Sequence, residues 1–145
     1  LQAVPLCLNE EDNQKLIAPF RDEEFRDAAF QMHSDKAPSP DGLNPAFYKR
    51  FWSLCGNEVI YACRRWLTEG TIPTALGDTN IVLVPKCDHP NSMRDLRPIS
   101  LCNVVYKILA KTLANRLQSV LDKCISVEQS GFVAGRSITD NVIIA

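Results

Sequence analysis

The sequence lacks the marks of several protein classes. No apolar run approaches the roughly 20 residues that cross a bilayer, and the opening LQAVPLCLNEED has neither the pattern of a signal peptide nor that of an arginine-rich transit segment. An intracellular chain, in nucleus or cytoplasm and not secreted, is the expectation. Histidine is scarce: only His33 and His89 could act as an imidazole base, and neither stands near a recognisable nucleophile. The six cysteines (Cys7, Cys55, Cys63, Cys87, Cys102, Cys124) contain no CxxC pair. Cys87-Asp88-His89 falls short of the four converging ligands that structural zinc requires, so reduced, mostly buried thiols are expected. Internal repeats, low-complexity segments and a convincing interdomain linker are also missing.

What is present is one domain's worth of chain. At 145 residues it is long enough to bury roughly two thirds of its unfolded surface. The net charge of −1 hides an asymmetry. Residues 1–35 carry eight acids against Lys15, Arg21 and Arg26, giving −5, so residues 36–145 carry +4. A polyanion would be met by the second part. The chain starts at Leu1 and stops inside the apolar run Val142, Ile143, Ile144, which reads as a piece of something longer or a translated remnant.

Asn9 followed by Glu10, Glu11 and Asp12 predicts a capped helix ended by Pro19. A second helix, capped by Asp22, carries Phe25, Ala28, Ala29 and Met32 on one stripe. KAPSPDG breaks regular structure, and its Pro-Asp-Gly suits a tight turn because proline presets φ while glycine accepts positive φ. Asn44 caps a helix with Pro45 in its first turn. Phe47, Phe51 and Leu54 form its apolar stripe beside Tyr48 and Trp52, and Gly56 closes it. Val59, Ile60, Cys63, Trp66 and Leu67 make the next helix, stopped by Gly70 and Pro73.

From Thr79 the pattern changes. Ile81 to Val84 is a continuous run rich in β-branched residues, between Gly77 and Pro85, and reads as a buried strand. Leu96 to Leu101 is its partner in a hairpin whose polar loop separates Lys86 from Arg97. Residues 103–121 then form a long helix, about 28 Å at 1.5 Å per residue. Val105, Leu109, Leu113, Leu117 and Leu121 are its expected buried ridge, with Lys107, Lys111, Asn115, Gln118 and Asp122 on the other side. Residues 126–136 read as a glycine-containing loop, and Ser137 to Asp140 as a capping box opening a last helix. The fold class expected is α+β, helix-rich, with a small antiparallel β-hairpin.

The strings KAPSPDGLNPAFYKRFW, IVLVPK, DLRPISLCNVVYKILAKTLANRL and ISVEQSGFVAGRSITDN stand in this order. Together they resemble the amino-terminal part of the reverse transcriptase domain of non-LTR (LINE-type) retrotransposons, from about Lys15 onward. The resemblance implies the fingers of a right-hand polymerase with an incomplete palm. It divides the chain into a preceding segment (1–21), a helical part (22–78), the hairpin (79–102) and the long helix with the GRS loop and the start of the palm (103–145). It implies that Lys86 and Arg97 face the triphosphate of the incoming nucleotide, a role suited to a point charge and a planar fork. It further implies nucleic-acid contacts from Gln129 and Arg136, with Gly131 and Gly135 allowing close backbone approach and Phe132 in the core; Lys107 and Lys111, on the polar face of the long helix, are further candidates for nucleic-acid contact.

Two departures qualify the resemblance. Ser39 stands where the family string usually has glycine, and serine tolerates positive φ poorly. The palm aspartates that clamp two magnesium ions about 3.5–4 Å apart in this chemistry lie beyond the matching strings, and no Tyr-x-Asp-Asp turn is present. Asp41 reads as a turn residue and Asp140 as a cap. The expectation is therefore no catalytic residue and no metal or other cofactor in this chain, with Mg²⁺ belonging to the complete polymerase. RNA template, DNA primer and the palm and thumb of the same polyprotein are the expected partners, and no membrane. The alternatives are a non-catalytic nucleic-acid-binding remnant, using Lys86, Arg97, Lys107, Lys111 and Arg136, or a decayed fragment without selected function.

Overall fold

Asn9 starts the first regular element because its side chain accepts a hydrogen bond from the Asp12 N–H (2.8 Å), while the Asp12 carboxylate accepts one from the Asn9 N–H (3.3 Å). This reciprocal cap opens α1 (Glu10–Ile17), with three acids at its positive end. The computed structural model describes residues 8–125, so the expected loop at 126–136 and the helix from Ser137 lie outside the described residues. Six α-helices, α1 with α2 (Asp22–Gln31), α3 (Pro45–Arg50), α4 (Trp52–Glu69), α5 (Thr74–Gly77) and α6 (Val104–Cys124), are joined by one hairpin, β1 (Thr79–Pro85) and β2 (Leu96–Cys102), with a short 3-10 turn at Met93–Asp95 in its loop, among the described residues. The fold is helix-rich α+β with a small antiparallel hairpin.

The chain divides into two compact units, Phe20–Thr112 and the combination of Leu1–Pro19 with Leu113–Ala145. In the combined unit, α1 is held by cations from the second half of α6. Lys123 Nζ donates to both Asp12 carboxylate oxygens at 2.7 and 2.6 Å. Arg116 donates to the carbonyls of Leu16 (3.1 Å), Ala18 and Pro19 (3.0 Å). A guanidinium there answers the carbonyls that a helix leaves unpaired at its negative end.

The other unit has the larger core. Phe25, Ala28 and Ala29 of α2, Tyr48 of α3, Val59, Ile60 and Cys63 of α4, and Val104, Ile108 and Leu109 of α6 form its buried cluster. Helix α2 starts on Asp22 itself, so the cap falls one residue earlier than expected, on Arg21, whose N–H is taken by the Glu24 carboxylate at 2.7 Å. Asn44 caps α3 through the Phe47 N–H at 3.1 Å, with Pro45 in the first turn.

The expected stripe of Phe47, Phe51 and Leu54 is not the buried one. Tyr48 is buried and Trp52 half-buried, while Phe47 and Phe51 are partly exposed and Leu54 is 78% exposed. Phe51 breaks the helix between α3 and α4 with φ −106°, ψ 20°, which shifts the angular phase of everything after it. Gly56 does not close a helix. It is buried inside α4, where a Cβ would lie 2.8 Å from Trp52 ring atoms. The helix ends at Gly70 instead, in the left-handed conformation (φ 67°).

The strand β1 is exposed along its whole length, not buried as its composition suggested. A two-stranded sheet offers two faces, and its partner β2 adds no covering layer. The ridge expected on α6 is displaced too. Val104, Ile108, Leu109, Thr112 and Val120 are buried, whereas Leu113 and Leu117 are 39% and 52% exposed. A row repeating every fourth residue advances about 40° around a helix of 3.6 residues per turn at each step, so five such leucine or valine positions do not share one face. No helix among the described residues is long and apolar enough to cross a membrane.

Candidate functional site

The hairpin carries the two cations singled out from the sequence. Ile81, Val82 and Val84 favour extended backbone, and Pro98, which has no N–H, is accommodated opposite Leu83. The strands pair antiparallel from Thr79 with Cys102 to Pro85 with Leu96, and Val84 stands opposite Arg97. The Lys86 N–H continues the register by donating to the Asp95 carbonyl at 2.7 Å. Side chains of opposed residues share a sheet face and alternate along a strand. Lys86, Val84, Val82, Arg97 and Ile99 therefore lie on one face, with Lys86 and Arg97 diagonal neighbours at about 7–8 Å in such a ladder.

The loop between them is preorganised by Asp95. Its carboxylate accepts from the N–H groups of Asn91 (3.0 Å) and Ser92 (2.9 Å) and from the Ser92 hydroxyl (3.1 Å). These donors, the Asn91 N–H first, hold the Asp95 carboxyl below the ordinary carboxylate range. The same geometry decides the local electrostatics. Although Asp95 is opposite Lys86 in the register, its charge is turned into the loop, and Lys86 Nζ donates instead to the Arg94 carbonyl at 2.6 Å. Arg97 is exposed. Neither cation forms an ion pair among the described residues, so both positive charges face solvent.

The base of the hairpin is tied to its own unit by two polar side chains. The buried Ser39 hydroxyl donates to the Cys102 carbonyl at 2.9 Å, and Asn103 Nδ2 donates to the carbonyls of Ala75 (3.2 Å) and Leu76 (3.4 Å). Positive φ in the preceding turn falls on Gly42 (78°), and Asp41 Oδ1 accepts from the Leu43 N–H at 3.0 Å, which makes Asp41 a turn residue. Serine at position 39 thus serves as an anchor. The roles of Ser39 and Asn103 carry no local sequence signal, because their partners are 63 and 27–28 residues away. A signal for Asp95 stood in the sequence unread: Ser92-x-x-Asp95 has capping-box spacing.

Lys107 and Lys111 occupy a different element. They are half-buried on α6, beside the buried Val104, Ile108 and Thr112 and not across the helix from them, since residues three apart are neighbours on a helix. Gln129 and Arg136 lie outside the described residues. Of the described cysteines only Cys63 is buried, with its thiol pushed up to about 12 by that burial; Cys55 and Cys102 are intermediate, and Cys87 and Cys124 are exposed. This corrects the expectation of mostly buried thiols. Among the described residues, no group of three or more His, Cys, Asp or Glu side chains is placed to hold a metal ion. The described residues thus do not fit the magnesium site of a polymerase.

Comparison with known proteins fits the hairpin into a wider pattern. Residues 84–145 match the family described as "Reverse transcriptase (RNA-dependent DNA polymerase)", a range that starts on β1 and includes Lys86 and Arg97. The chain is also similar to the "Transposon TX1 uncharacterized 149 kDa protein" of Xenopus laevis, with 32% identity over 137 residues, 94% of this chain. It spans about a tenth of that protein's length. Residues 84–145 are thus similar to the reverse transcriptase family.

Proposed function

We propose that this chain is part of the reverse transcriptase of a non-LTR retrotransposon, supplying the fingers hairpin that meets the incoming nucleotide. The observation that carries the reading is the shared sheet face of Lys86 and Arg97, two cations without carboxylate partners among the described residues, on a preorganised hairpin. Arg97 offers a planar fork for phosphate oxygens. Its main chain sits in the ladder opposite Val84, so the fork is presented from a paired strand. Lys86 adds a point charge at the strand end. Both act on the ground-state charge of a triphosphate, and neither moves a proton.

By this reading the 145-residue chain binds triphosphate without polymerising, because the carboxylates for metal-assisted phosphoryl transfer belong to a palm supplied by a longer product. RNA template and DNA primer are partners of that product. Titration with a deoxynucleoside triphosphate, monitored calorimetrically, tests the hairpin. Arg97→Ala and Lys86→Ala should each weaken binding about tenfold or more, as expected for losing a charge-assisted hydrogen bond, and free triphosphate should compete. Equal affinity for wild type and Arg97→Ala would sink the assignment. Incorporation on a primed RNA template by the purified chain would refute its inactivity.

A further inference from the structure

Among the described residues, the backbone of β1 presents an open edge whose sequence is complementary to itself. Because the Lys86 N–H points to β2, and N–H groups alternate sides along a strand, Val84, Val82 and Asn80 also bond β2. Thr79, Ile81 and Leu83 then direct their N–H and C=O groups away from it. The two edges of the hairpin differ. The outer side of β2 is blunted by Pro98, and its Cys102 carbonyl is taken by Ser39. The outer side of β1 has no charge from Thr79 to Pro85 and no proline before its last residue. Ile81 is 65% exposed, with Val82, Leu83 and Val84 also open to solvent. Long uncharged edges of this kind are templates for another strand.

We propose that β1 pairs antiparallel with β1 of a second copy of this chain, about a two-fold axis through Val82. That register makes Ile81 and the partner's Leu83 a hydrogen-bonded pair, and the symmetry repeats it. Thr79 N–H donates to the carbonyl of the partner's Pro85, while the Thr79 carbonyl, to which proline offers no N–H, is left to solvent. On the face carrying Lys86, Val82 meets the partner's Val82 and Asn80 meets the partner's Val84. At each end Asp78 falls opposite the partner's Lys86.

This charge match is what selects a second copy and this register. Asp78 is exposed and extended (φ −61°, ψ 133°), so it continues the strand direction. It makes no ion pair within its own chain among the described residues. Lys86 Nζ has three hydrogens and gives one to the Arg94 carbonyl, leaving others for a carboxylate. A two-fold arrangement uses the same pair twice and closes the assembly. The pairing does not rest on the nucleotide-binding reading, but it draws on the same lysine, so triphosphate and the second copy compete for Lys86.

Sedimentation equilibrium of the chain tests this, with amide exchange as a second readout. The expected result is a concentration-dependent monomer–dimer equilibrium and slowed exchange at Ile81 and Leu83 on dimerisation. Asp78→Lys or Lys86→Asp alone places like charges opposite each other twice and should raise the dimer dissociation constant about tenfold. The double variant Asp78→Lys with Lys86→Asp should restore it. Leu83→Pro removes only an outward N–H, as Pro98 does on the other edge, and should leave a folded monomer. A chain that stays monomeric at hundreds of micromolar would overturn the proposal. So would open-ended oligomers, failure of the double variant to recover, or undiminished dimerisation of Leu83→Pro with its hairpin intact.

Discussion

Lys123 Nζ lies 2.7 and 2.6 Å from the two carboxylate oxygens of Asp12, a residue that also completes the Asn9 cap of α1. One buried carboxylate therefore closes a helix start and receives a cation from 111 residues away. The hydrogen bond from Lys123 is the foremost cause that holds the Asp12 carboxyl below its ordinary range, with the Asn9 N–H adding to it. A depressed native pKa stabilises the fold fully above the unfolded-state value, and the contribution is lost as pH falls through the native one. Stability measured by urea unfolding should therefore drop on acidification below about pH 4. Lys123→Met should lower stability at neutral pH and flatten that acid limb; an unchanged limb would show that the pair is not coupled to folding.

Gly56 faces two opposing effects. Alanine is favoured over glycine inside a helix by about 1 kcal/mol, yet its Cβ would stand 2.8 Å from Trp52 ring atoms. Trp52 packs edge-on to Phe30 at 5.9 Å and against the core, so it has little room to yield. Overpacking costs of about 1–3 kcal/mol outweigh the propensity gain. Gly56→Ala is expected to lower the melting temperature by several degrees and to change the tryptophan emission. A more stable variant would mean that the ring moves freely.

Ser39→Ala removes the hydroxyl from the Cys102 carbonyl. A loss of roughly 0.5–1.5 kcal/mol is expected, read as a lower urea midpoint with an unchanged slope. Amide exchange at the base of the hairpin should quicken, while α1 should be unaffected.

Asp95→Asn keeps the shape of the loop anchor but removes its charge. The N–H groups of Asn91 and Ser92 would then bond a neutral acceptor, which is roughly half as strong. Faster exchange at these two amides is expected, together with weaker triphosphate binding through looser placement of Lys86. Retained loop protection would show that the backbone alone holds the turn.

Thiol labelling should separate the cysteines by environment. Cys87 and Cys124 are exposed, whereas Cys63 is buried with a thiol pushed up to about 12. Since the thiolate is the reactive form, Cys87 and Cys124 should label first and Cys63 only on unfolding, as followed by mass spectrometry.

Much of the local structure was legible in the sequence. Asn9, Asn44 and Gly70 mark helix ends because caps depend on residues within a few positions of one another. The hairpin followed from its β-branched run and its flanking Gly77 and Pro85. What was misplaced was burial. Phe47, Phe51 and Leu54 lost the core to Tyr48 and Trp52, and Leu113 and Leu117 lost it to Val104 and Ile108. An apolar stripe gives a helix face, but the partner decides which of two adjacent stripes is covered.

The candidate site divides in the same way. By itself the sequence determined the hairpin, its two cations and the likeness to reverse transcriptases, since these rest on residue types at fixed short spacings. Only the tertiary structure decided that Lys86 and Arg97 share a face, that Asp95 turns its charge away from Lys86, and that Ser39 and Asn103 anchor the hairpin base. Register, side-chain direction and long-range hydrogen bonds are set by which groups find partners across the fold, and that pairing is not encoded in any local window of the chain.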